Sequence, residues 1–113
     1  MAEHRGGRHH PHHDLLFDTW SYVTGAPMRL AKLREVLSGM PSTVFRVKGF
    51  VHAAEEPRSR LVLQLVGRRA TITPTRWPDG AIPRTRIVLI ARHDTVNFDA
   101  IGKELDQCHA CNA

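Results

Sequence analysis

Five of the eight histidines of this 113-residue chain fall within its first thirteen positions, MAEHRGGRHHPHH. Neutral imidazole is a good ligand for zinc, cobalt, nickel and copper. His9, His10, His12 and His13, with His4 upstream, supply enough donors to close a labile coordination sphere. The stretch has no hydrophobic period that would order it locally, so the binding expected is weak and exchangeable, as a carrier needs. An engineered purification tag is the competing reading. Such tags are ordinarily unbroken histidine runs, whereas Arg5-Gly6-Gly7-Arg8 and Pro11 interrupt this one. Residues 1–13 therefore read as a His-rich flexible linker or tail that takes up Zn²⁺ or Co²⁺.

A second cluster stands at the other end. Cys108-His109-Ala110-Cys111 is a C-x2-C pair with a histidine inside it. By itself it is half a zinc site, because structural zinc generally takes four ligands. A redox role fits poorly, since Cys108 would close a helix, where the macrodipole raises a thiol pKa. The plainer expectation is that Cys108 packs in a helix stripe. His93-Asp94 resembles a base and its orienter, but adjacent turn residues rarely reach that geometry and no nucleophile stands in a suggestive context. Asp94 is expected to make a turn contact. No catalytic residue is assigned.

The composition is that of one ordinary globular domain, with 42% apolar and 24% charged residues. No run approaches the roughly 18 apolar residues that span a membrane. Two closely spaced cysteines do not staple a fold, and the first residues do not read as a secretion signal, so a reduced cytoplasmic setting is expected. The net charge of +5 is carried by arginines scattered along the chain, not by one basic block.

These chemical groups need a scaffold, and the hydrophobic pattern supplies one over residues 14–113. Leu15–Val23, rich in aromatic and β-branched residues, reads as a strand ending at Thr24-Gly25-Ala26-Pro27. Pro27 suits a first helical position, and Leu30, Leu33, Val36, Leu37 and Met40 trace one helix face as far as Gly39 and Pro41. Thr43–Ala53 alternates, with Phe45, Val47 and Val51 on one face and Val44, Arg46, Lys48, Phe50 and His52 on the other. Leu61–Val66 reads as a buried strand, Ala70–Thr75 as a short extra one, and Arg86–Ala91 as another buried strand. Trp77–Pro83 is loop. Asn97 is the expected N-cap of a last helix with the stripe Phe98, Ile101, Leu105 and Cys108. The expectation is an α+β fold. An antiparallel-rich sheet of four or five strands carries two helices on one face, in the order β-α-β-β-(β)-β-α.

Within this pattern, Arg46-Val47-Lys48-Gly49-Phe50 matches an R-x-K-G segment. Leu63-Gln64-Leu65-Val66-Gly67, Trp77 and Arg84–Arg92 follow in order. Together, over roughly residues 14–108, they resemble the C-terminal domain of CobW-type GTPases. Leu89-Ile90-Ala91 stands where that family usually has Phe-Ile-Gly, a mild departure. The resemblance implies an N-terminal P-loop GTPase domain as the neighbour in the parent protein. It also implies a role in cobalamin synthesis or in zinc or cobalt delivery to a metal-receiving client. The chain has no G-x-x-x-x-G-K-[ST] loop, so it is expected to bind no nucleotide and to catalyse nothing itself. Two alternatives remain open: a small basic RNA-binding domain, for which the alternating sheet aromatics are missing, and a freestanding metal buffer.

The apolar strands carry one further expectation. Leu61, Leu63 and Leu65 back onto Val62 and Val66, and Ile87 and Leu89 back onto Val88 and Ile90. Two helices can cover only one set. The other, with Val62, Val66, Val88 and Ile90 bordered by Arg46 and Lys48, is expected to dock a partner domain or to support weak self-association. The competing reading is that the first strand or the Trp77–Pro83 loop folds across it.

Overall fold

The structure is a computed structural model, and it describes residues 16–110. Seven elements follow one another: β1 (Phe17–Thr24), α1 (Leu30–Ser38), β2 (Val44–Val51), β3 (Ser59–Val66), β4 (Arg69–Arg76), β5 (Thr85–Arg92) and α2 (Phe98–Asp106). They form the expected α+β fold. The five strands lie in the order β1-β5-β2-β3-β4, and every neighbouring pair is antiparallel. Because β1 and β2 both run against β5, they are parallel to each other, and α1 is the crossover between them. β4 stands at one edge and, among the described strands, pairs with β3 alone. Pro74 and the terminal Arg69 and Arg76 make it a poor template for a further strand.

Strand alternation sends one set of side chains to a single core. Trp20 and Tyr22 of β1, Val47 and Val51 of β2, Leu61, Leu63 and Leu65 of β3, and Ile87, Leu89 and Ala91 of β5 are all buried. The helices cover this face with Leu33, Val36 and Leu37 from α1 and Ile101, Leu105 and Cys108 from α2. Each fully buried aliphatic side chain contributes about 1.5–3 kcal/mol, so this one-sided layer supplies most of the drive to fold. Trp20 stacks on Phe98 with centroids 5.5 Å apart, tying β1 to the start of α2. The side chain of Asn97 accepts from the Ala100 amide at 3.1 Å, as an N-cap should.

Two local expectations are corrected. Pro27 does not open α1. The segment Pro27–Arg29 is extended and bridges two other backbones. Met28 N–H donates to His52 O at 2.9 Å and Ala54 N–H to Met28 O at 2.8 Å, while Arg29 N–H donates to Cys108 O and Ala110 N–H to Pro27 O, each at 2.8 Å. Tertiary pairing of Met28, which is fully buried, outweighs the preference of proline for a first helical turn. The helix starts at Leu30, whose amide is met by the Glu55 carboxylate at 3.2 Å. The second correction is Phe45, which does not share a face with Val47. The β2–β5 register shifts between Val44 and Arg46, so Phe45 is the extra residue of a β-bulge. Val44 and Val47 both turn inward while Phe45 stays 43% exposed.

Candidate functional site

Among the described residues no helix or further strand covers the face of the sheet opposite the helices, and its make-up follows from the registers. One row across it reads Thr19, Ile90, Arg46, Val66, Arg69. The next reads Ser21, Val88, Lys48, Gln64, Thr71, and the third Val23, Arg86, Phe50, Val62, Thr73. Arg46, Lys48, Val62, Val66, Val88 and Ile90, the residues read from the sequence as a contact set, thus share one surface. Ile90 and Val66 flank Arg46, and Val88 lies beside Lys48. Val62, Val88 and Ile90 are half-buried and Val66 is 58% exposed.

Beside this set the structure places residues that the sequence reading passed over. Arg86 lies next to Phe50, and the Arg60 guanidinium stands 5.5 Å above the Phe50 ring. A depression of about 340 Å³ opens here, lined by Lys48, Phe50, Arg60, Val62, Arg86 and Val88 among others. Trp77 packs at one end of the sheet face, its ring perpendicular to those of Phe50, at 6.1 Å, and His52, at 6.2 Å. The loop therefore closes part of the face, not all of it. At the opposite end the bulge presents Phe45 edge-on to Phe17, with centroids 5.4 Å apart. The electrostatic signal was legible in the composition of the strands. β2, β3, β4 and β5 contain no Asp or Glu.

The candidate metal ligands are distributed differently. His4, His9, His10, His12, His13 and Cys111 lie outside the described residues. Cys108 is fully buried in the core, its Sγ 3.6 Å from Glu104 O, and burial pushes its thiol up to about 11. His109 places Nε2 2.8 Å from the Tyr22 hydroxyl, which itself donates to Asp106 at 2.6 Å. His93 Nδ1 meets the Asp18 carboxylate at 2.8 Å, and the Asp94 amide donates to the other oxygen of Asp18. Asp94 has φ 58°, a left-handed turn conformation that aspartate tolerates. Among the described residues no three His, Cys, Asp or Glu side chains converge as a metal cluster. No helix among them is long and apolar enough to cross a membrane.

Comparison with known proteins places this fold. Among solved structures, the Zn(II)-bound YjiA GTPase from E. coli superposes with a TM-score of 0.70 at 16% identity, over 83% of this chain. A Zn(II)-bound triple mutant of the YjiA GTPase gives 0.72 at 17% identity, over the same share. At that identity the likeness is one of fold. The chain spans 30% of the length of either structure. No curated protein matches it. Residues 17–109 match the family described as the cobalamin synthesis protein cobW C-terminal domain. With nearly all of the described fold inside that match, the chain belongs to the CobW C-terminal domain family.

Proposed function

We propose that this chain is the binding and regulatory domain of a CobW-like metallochaperone GTPase that serves cobalamin biosynthesis or zinc or cobalt delivery in the cytoplasm. Its N-terminal histidines carry the metal loosely, and its open sheet face docks the GTPase domain or the metal-receiving client. The observation that carries this reading is the open face itself: an apolar and basic surface on a fold whose solved relatives are GTPases with about 70% of their length outside it. Both solved relatives are Zn(II)-bound. The chain supplies no phosphate loop, so nucleotide chemistry belongs to the partner domain.

Calorimetric titration with Zn²⁺ and Co²⁺ tests the metal half. The full chain should give reversible binding that weakens as pH falls through about 6.5, where imidazole protonates and stops ligating. A chain starting at Asp14 should lose that heat, and unchanged stoichiometry would refute the assignment. Nucleotide-dependent GTP turnover by the pure chain would refute the division of labour.

A further inference from the structure

We infer that the open sheet face is the receptor for an acidic, aliphatic-studded segment of a partner protein. The segment's carboxylates pair with Arg46, Lys48 and Arg86, while its aliphatic side chains fill the stripes on either side. This rests on reading the domain as a docking module and adds the chemistry of what it docks.

Three observations carry it. The first is the layout. β2 runs down the face as a basic ridge, Arg46 then Lys48, with Ile90 and Val88 of β5 on one flank and Val66, Gln64 and Val62 of β3 on the other. Neighbouring strands lie about 4.8 Å apart, so each flank is within one side-chain length of the ridge. Arg60 and Arg86 widen the positive field at the depression. The second is charge. Strands β2 to β5 contribute no carboxylate to this face. Asp18, on β1, points to the other side and is engaged at His93 and Asp94. The strands of this face therefore leave its positive charge to be met by a complement from elsewhere. The third is the nature of the apolar surface. Around the basic ridge it is aliphatic, whereas nucleic acid would need free aromatic faces, and Phe17 and Phe45 at the far end are packed against each other at 5.4 Å. Phe50 has Arg60 over its ring and Trp77 packed perpendicular to it. A second copy of the chain would lay one basic ridge on another. The chain's own His-rich segment, with Arg5 and Arg8 against Glu3, is the wrong sign as well.

The test is a fluorescence-anisotropy titration of the full chain with three labelled probes. One is a peptide of about twelve residues in which Asp and Glu alternate with Leu and Val, a length that spans an eight-residue strand. The second is the same peptide with Lys replacing the acids, and the third is a uridine oligonucleotide of equal charge. The acidic peptide should bind, and binding should fall at least about tenfold in Lys48→Glu and in Arg86→Glu. Val88→Ser should weaken it with the charges intact. Lys48→Gln, a milder change, should give an intermediate loss if the glutamate variant folds poorly. Equal binding of the acidic and basic peptides, tighter binding of the oligonucleotide, or no peptide binding at all would overturn the inference. So would dimerisation through this face, read by sedimentation and abolished by Val88→Lys. Peptide binding should survive removal of residues 1–13, so failure of the metal reading and failure of this one are separable.

Discussion

A β-carbon on Gly49 would collide with the carbonyl oxygen of Arg86 and lie 2.9 Å from Ile87 Cα. Gly49 of β2 pairs with Ile87 of β5, so the glycine of the R-x-K-G segment lets the two central strands close. The neighbours in question are backbone and cannot swing aside. Gly49→Ala should therefore cost at least about 2 kcal/mol, read as a lower urea midpoint. Gly25→Ala, where an added β-carbon meets nothing within 4 Å, should stay within about 0.5 kcal/mol of the parent.

The Tyr22 hydroxyl has one hydrogen and gives it to Asp106, so toward His109 Nε2 it can only accept. His109 must then carry its proton on Nε2. Removing the hydroxyl in Tyr22→Phe strips two partners from the end of α2 and should cost about 1–2 kcal/mol. In the parent, nitrogen NMR should show the Nε2-protonated form of His109, and in the variant a mixture of tautomers.

Cys108 sits with its thiol held up to about 11 by burial, against an ordinary value of 9.0. Its folded-state value is raised, so the thiol's contribution to stability is complete below about 9 and drains away as pH climbs toward about 11. In a Cys111→Ser variant, which leaves Cys108 as the one cysteine of the chain, alkylation by iodoacetamide at pH 8 should be slow and should accelerate with urea. Fast labelling under native conditions would show the thiol to be accessible.

Asn97 caps α2 through the Ala100 amide. Asn97→Ala should lower stability by about 1 kcal/mol, whereas Asn97→Asp should retain it, because either side-chain oxygen can take the amide and the helix dipole favours the acid. Thermal melts of both variants provide the check.

Much of the site was legible as a pattern. Leu61, Leu63 and Leu65 alternating with Val62 and Val66, and Ile87 and Leu89 with Val88 and Ile90, announce strands apolar on both sides, and two helices cover only one side. What the pattern did not hold was which cations gather on the open face. Arg60 and Arg86 lie 26 positions apart in the chain, and only the β2–β3 and β2–β5 pairings bring both beside Phe50.

The sequence by itself determined the element types, the helix stripes and the N-cap, because these depend on period and on contacts within a few residues. Tertiary structure decided the strand order, with β5 between β1 and β2, since pairing is a long-range choice that alternation does not encode. It also decided two local matters against local preference. Pro27–Arg29 became an extended bridge because the backbones of His52–Ala54 and Cys108–Ala110 offered it hydrogen bonds. Phe45 turned outward because the β2–β5 register admits one extra residue there, and a bulge reverses every expectation of alternation that crosses it.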